Sequence, residues 1–323
     1  MSAREPASAL PGRPLGRSKL PVTPLCFGGS RVGRLAPPST YTLTDDAALD
    51  LLRAVFQSPI KFVDTAAAYG DGESERRIGL ALRELGGLPS DVVLATKADR
   101  DLAGGDFSAS QARRSVERSL RLLGLERLHL LYLHDPEYAV QSFEELTAPG
   151  GAVEVLVRLK DAGLVDALGI AAGPIPLLTR FVTTDVFDVV LTHNRYTLLN
   201  RVAEPLLAEA HRRGLGIVNG APFGAGLLAK GPSQHPRYAY RDASPELLER
   251  AHAMERLCTR YNVPLRAAAL QFSLRDPRIH STAVGVSRPE HLDEILALAS
   301  HPIPDALWPQ LDALAGPPED PQR

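Results

Sequence analysis

Short apolar runs recur eight times along the chain, at 25–27, 60–63, 92–95, 128–133, 167–171, 186–191, 215–218 and 282–286. Most are continuous in apolarity, as expected of strands covered on both faces by helices. The segments between them have a helical period. Ala152, Val155, Leu156 and Leu159 fall at i, i+3, i+4 and i+7 with Gly163 placed to cap them, and Ala203, Leu206, Leu207 and Ala210 repeat the arrangement before Gly214. Val116, Leu120 and Leu123 mark another stripe, with Ser110 as its N-cap, and Pro264 opens one more at a first-turn position. This alternation of strand and helix predicts an α/β chain folded as one (β/α)8 barrel of TIM type, rather than a doubly wound sheet, with a single catalytic domain over 19–315. The segment 219–263 breaks the rhythm with a Gly/Pro-rich loop and an extra helix between the seventh and eighth strands. Long loops on a barrel carry function.

Composition narrows the classes of partner. The 323 residues carry a formal net charge of −2, and Lys and Arg are concentrated only on short helical faces such as Arg113 to Arg121. That argues against nucleic acid and anionic membrane. No apolar run approaches the ~20 residues needed to span a bilayer. Residues 1–18, with Arg4, Glu5, Pro6, Pro11, Arg13 and Pro14, and residues 316–323, with three prolines and two acids, read as flexible tails. Cys26 and Cys258 read as small buried hydrophobes, which fits a reduced, cytoplasmic setting.

Four polar residues stand where apolar runs end: Asp64 and Tyr69 after 60–63, Lys97 after 92–95 and His134 after 128–133. In a parallel barrel such positions project into one pocket at the carboxyl ends of the strands. A tyrosine is a poor acid or base at neutral pH, because its ordinary pKa is about 10. A lysine ammonium about 4 Å from the phenol contributes roughly 4 kcal/mol at an effective dielectric near 20, worth about three pH units toward the phenolate. Lys97 is placed to supply it, bringing Tyr69 toward the range of an effective general acid/base. Asp64 serves Lys97 by stabilising its ammonium, and His134 orients the substrate oxygen and shares in the proton transfer. Singly, Asp64 and His134 could be turn residues, Tyr69 a loop aromatic and Lys97 a solvated strand end. Together, at three successive strand ends, they read as a catalytic group that calls for no metal.

The segments FVDTAAAYGDGESERRIG from Phe62, LATKADR around Lys97 and LYLHDPE around His134 resemble the aldo-keto reductases, in family order from about Lys19 to Ala299. The stretches NRYTLLN at 194–200, GAPFGAGLLAKG at 220–231 and PLRAAALQFSLRDPRI at 264–279 look like the aldose 1-dehydrogenase branch of that family. The resemblance implies a (β/α)8 barrel and a nicotinamide dinucleotide held without a Rossmann glycine fingerprint; Gly28-Gly29-Ser30 lacks that spacing. It implies catalytic roles for Asp64, Tyr69, Lys97 and His134, and a pyrophosphate cradle in the backbone of Pro222, Phe223, Gly224, Gly226 and Leu227. Gly28, Asp64, Gly285, Ser287, Arg288 and His291 would line the rest of the dinucleotide.

The chain departs from the pattern at two places. Where many relatives carry Ser and Asn after the fifth strand to hold the carboxamide, it has Ala171, Ala172 and Gly173, leaving His193 or Asn194 to substitute. Near the adenosine end, Ile295 replaces a frequent asparagine. Arg288, which either meets a 2′-phosphate or faces solvent, is the one permanent positive charge in 285–295, and His291 is mostly neutral near pH 7. NAD is therefore slightly favoured over NADP. The resemblance implies NAD(P)-dependent oxidation of the anomeric carbon of an aldose to a lactone, by a monomer or small homo-oligomer. Two other readings stay open: an oxidoreductase of another small carbonyl compound, such as pyridoxal, an aldehyde or a ketone, and a weakly catalytic, cofactor-sensing binding protein of the same fold.

Overall fold

The computed structural model describes residues 10–33, 43–316 and 319–321. Eight parallel strands close into a barrel: β1 (Leu25–Gly28), β2 (Phe62–Asp64), β3 (Val93–Ala98), β4 (Leu128–His134), β5 (Val165–Ala172), β6 (Val189–His193), β7 (Gly216–Gly220) and β8 (Ser281–Val284). Each pairs with its neighbour in sequence, and β8 closes the ring by pairing with both β1 and β7. All eight correspond to the apolar runs, and the fold is the predicted (β/α)8 barrel. The ends differ by up to three residues, and β2, β3, β4 and β6 run on past their apolar runs into Asp64, Lys97, His134 and His193.

Residues alternate between the barrel interior and the surrounding helices. Phe62, Val93, Ala95, Leu130, Tyr132, Val189 and Leu191 fill the interior, whereas Val63, Leu94, Leu131, Leu133 and Val190 belong to the outer core shared with the helices. Space inside is rationed: a Cβ at Gly169 would lie 2.3 Å from the Tyr132 ring, so only glycine fits opposite that side chain. Advancing two residues from the last interior side chain leads from Phe62 to Asp64, from Ala95 to Lys97, from Tyr132 to His134 and from Leu191 to His193. The period of two therefore delivers four polar side chains to the same end of the barrel.

The helices around the ring include α1 (Asp45–Gln57), α2 (Glu73–Glu84), α3 (Ala109–Leu123), α4 (Ala152–Asp161), α5 (Ile175–Val182), α6 (Glu204–Arg212), α7 (Pro245–Arg260), α8 (Leu265–Leu274) and α9 (Pro289–Ala299). The apolar stripes of α4 and α6 are buried, and Gly163 and Gly214 follow those helices in left-handed backbone, as expected. Two caps differ from expectation. Ser108, not Ser110, caps α3: its extended backbone lets Oγ accept from the Gln111 N–H, while Ser110 lies inside the helix. Pro264 occupies the cap of α8, one position before its first turn. The extra helix between β7 and β8 is α7.

The chain is ordered against the barrel before residue 19. Arg13–Pro14 pairs antiparallel with Pro21–Val22, and Leu15, fully buried, plugs the amino-terminal end of the barrel beside Val22. The boundary expected at residue 18 thus falls within a folded ribbon, and residues 1–9 of that expected tail lie outside the described residues. At the other terminus, Asp320 pairs with Arg195 at 2.7 Å, and the Asn200 side chain donates to the Glu319 carbonyl. Segment 319–321 of the expected second tail is therefore docked on the loop after β6.

Candidate active site

Lys97 Nζ is the hub of the pocket. It donates to Asp64 Oδ2 at 2.7 Å, to the Thr65 carbonyl at 2.7 Å and to Tyr69 Oη at 3.2 Å, and only 1% of its surface is exposed. Three acceptors satisfy the three donors of an ammonium. Tyr69 reaches this position from the turn after β2, which Gly33 approaches so closely that a Cβ there would lie 2.7 Å from the Tyr69 carbonyl oxygen. The His134 ring meets the Tyr69 ring edge to face, with centroids 5.9 Å apart. The four residues singled out in the sequence thus share one buried pocket.

Burial works against the Lys97 ammonium, but Asp64 and Tyr69 outweigh it and hold the lysine protonated well beyond its ordinary range. Burial also dominates at Tyr69. It pushes the phenol up, and the pull of Lys97 does not overcome it. This corrects the expectation of a lysine-lowered tyrosine: desolvation penalises the phenolate more than the ammonium stabilises it. In the resting pocket Tyr69 is a protonated phenol, suited to give a proton. Asp64 is lifted by burial against the attraction of Lys97.

Asp99 belongs to the pocket and was not among the expected site residues. Its Oδ1 lies 2.6 Å from His134 Nδ1, and its Oδ2 accepts the Ala68 N–H at 2.7 Å. The available signal was parity, since Asp99 stands two residues beyond Lys97.

Several residues fit a dinucleotide. Gly224, Ala225 and Gly226 all have positive φ, and the Gly224 and Gly226 N–H groups donate to the Ala221 and Phe223 carbonyls at 3.0 and 3.1 Å, so two donors of the expected cradle are engaged in holding the turn. A Cβ at Gly226 would lie 3.0 Å from the His235 ring, so that ring packs closely over the turn. Pro222 and Phe223 lead into this turn, whereas the Leu227 side chain is fully buried and leaves only its backbone for a ligand. Asn194 is also fully buried. Its Nδ2 lies 3.2 Å from His193 Nδ1, and its Oδ1 has no hydrogen-bond partner among the described residues, an acceptor suited to a carboxamide. Burial lowers His193 to about 4, so it is a neutral ring. The expected gap after β5 is filled from elsewhere: Gly173 N–H donates to Glu137 at 2.8 Å, and a Cβ on Gly173 would lie 2.9 Å from the Arg195 guanidinium.

A second cluster gathers at the ends of β1 and β8. A Cβ on Gly28 would come within 3.5 Å of the Gly285 nitrogen, and Ser287 Oγ lies 3.2 Å from His291 Nδ1 at the start of α9, with Arg288 capping that helix. Arg31, missed in the sequence because it is distant from 285–295, packs beside Gly285. Together with Lys230 and Arg237 it acts electrostatically on His235. The surroundings of Gly285 and His235 are therefore more cationic than Arg288 alone implied.

The model of the aldo/keto reductase family matches residues 24–315. The chain belongs to that family. Among its relatives in the family are D-threo-aldose 1-dehydrogenase of Pseudomonas sp., 34% identical over 96% of this chain and 97% of that one, and L-galactose dehydrogenase of Arabidopsis thaliana, 31% identical over 88% and 86%. Pyridoxal 4-dehydrogenase of Microbacterium luteolum is 30% identical over 93% and 96%. Aldo-keto reductase AKR11C1 from Bacillus halodurans, solved in its holo form, shares the fold with a TM-score of 0.76 and 22% identity over 95% of this chain and 97% of that one. The chain is accordingly an oxidoreductase of a family that works with NAD(P)(H). No helix among the described residues is long and apolar enough to cross a membrane.

Proposed function

We propose that this chain oxidises the anomeric carbon of an aldose to a lactone, with Tyr69 as general acid/base, Lys97 and Asp64 supporting it, and His134 orienting the substrate oxygen. The observation that carries the reading is the Lys97 hub, which holds a phenol 3.2 Å from an ammonium in a buried pocket. The similarity over nearly the whole chain to a D-threo-aldose 1-dehydrogenase favours a sugar. A nicotinamide dinucleotide, when bound, would supply the hydride acceptor. Asn194 would hold its carboxamide, and the loop 222–227 would lie against its pyrophosphate.

In this reading Tyr69 takes the proton of the anomeric hydroxyl as the C1–O double bond forms, and Lys97 stabilises the phenolate required beforehand. His134 keeps the oxygen in line. Cyclic hemiacetal oxidation gives a lactone directly. The similarity to a pyridoxal 4-dehydrogenase supports the second reading, the same machinery working on another small carbonyl compound. Absorbance of the reduced dinucleotide across a panel of galacto-configured and 6-deoxy sugars, pyridoxal and simple aldehydes separates the two. Turnover confined to the non-sugar compounds would displace the aldose reading.

A further inference from the structure

Asp99 is 3% exposed and held from several directions. Its own N–H donates to Ser115 Oγ at 2.9 Å and its carbonyl accepts from Gln111 Nε2 at 3.2 Å, both partners on α3, while Ala68 N–H donates to its Oδ2 from the turn after β2. Its other carboxylate oxygen is left facing His134 Nδ1 at 2.6 Å. An ionised carboxylate only accepts, so the hydrogen of that contact sits on Nδ1. The other ring nitrogen, Nε2, lies 3.6 Å from Asp135 Oδ1, beyond hydrogen-bond distance.

We propose that Asp99 is a positioning residue: it fixes His134 with Nδ1–H on its carboxylate, and it stabilises the imidazolium whose Nε2–H donates to the reacting oxygen beside Tyr69. The groups acting on this ring come from every wall of the pocket. They are Asp64 on β2 and Tyr69 after it, Lys97 on β3 and Asp99 after it, Asp135 and Glu137 after β4, and His193 on β6. Burial and the Lys97 ammonium oppose a cationic ring. The Asp135 and Asp99 carboxylates, with the Asp99 hydrogen bond, outweigh them and lift His134 above the ordinary histidine range. In carbonyl reduction, the carbon gains a hydride that the reduced nicotinamide dinucleotide would supply, and the oxygen gains the Tyr69 proton, which leaves a phenolate. His134 keeps its own proton and serves as a charged hydrogen-bond donor.

The catalytic half of this role rests on the proposed oxidoreductase chemistry, whereas the state of the ring can be read without turnover. Long-range 1H–15N spectra of the 15N-labelled full chain, recorded between about pH 5 and 9 and assigned with His134→Gln, report tautomer and midpoint directly. The expected neutral ring is the Nδ1–H tautomer, with a midpoint above about 6.5. Asp99→Asn should lower that midpoint by about one pH unit and lower the upper pH limit of carbonyl reduction in step, costing about tenfold in kcat/KM near pH 8 and much less near pH 6. A wild-type Nε2–H tautomer, or an unmoved midpoint in a folded Asp99→Asn chain, would overturn the proposal. If that variant does not fold, the wild-type tautomer and midpoint decide. Failure to turn over any carbonyl would count against the oxidoreductase reading alone, leaving the ring measurement to judge Asp99.

Discussion

Tyr69 lies within hydrogen-bond reach of an ammonium and still keeps its proton, because its burial costs the phenolate more than Lys97 returns. The two directions of the reaction should then respond differently to pH. Oxidation needs the phenolate, so its kcat/KM should climb with pH through neutrality, by up to about tenfold per unit, while reduction, which uses the phenol, is limited instead by His134. Tyr69→Phe should fold and bind dinucleotide nearly as the parent does while losing about 10² to 10⁴ in kcat. A variant with half of the parental kcat, or an oxidation profile flat from about pH 6 to 9, would contradict this assignment. The four residues were legible in the sequence because Asp64, Lys97 and His134 stand at strand ends and Tyr69 follows Asp64 in the next turn. The direction of the tyrosine shift was not, since it depends on how completely the pocket excludes water, which no local pattern encodes.

At the scale of elements, α2 is fastened to β3 by a buried acid. Glu75 on α2 is fully buried and accepts a hydrogen bond from Thr96 Oγ1 at 2.5 Å, and burial lifts it to about 7 despite its contacts with Thr96 and Ser119. A carboxyl raised on folding contributes fully below its unfolded pKa, near 4.5, and that contribution is lost as pH rises toward and through 7. The wild-type chain should lose about 2–3 kcal/mol from this site between pH 5 and 8. Glu75→Gln carries no such cost. Its melting temperature relative to wild type should therefore rise steadily across that interval, and a difference independent of pH would refute the account. Element identity was readable from the apolar runs, because buried parallel strands tolerate little else. Cap identity was not: Ser108 and Ser110 are chemically alike, and the choice depends on which one takes extended backbone. Leu15 was equally illegible among prolines and arginines, since only the closed barrel creates the hole that it fills.

Over the whole molecule, the barrel brings Arg31 from the first loop to the end of β8, where the sequence had offered Arg288 alone. With two guanidinium groups there, the lone-cation ground for favouring NAD falls away, and we expect Arg288→Ala to weaken NADP more than NAD in direct binding titrations. Equal losses for both dinucleotides would place Arg288 away from the 2′-phosphate. The central claim is the conversion of an aldose to a lactone by Tyr69. The most direct measurement is mass analysis of the products formed from galacto-configured and 6-deoxy sugars, with oxidised and reduced dinucleotide both supplied, by the wild-type chain and by Tyr69→Phe. Lactone or its aldonic acid from the wild type, lost in the variant, is the predicted result. Alditol with no lactone, or lactone formed equally by the variant, would contradict it.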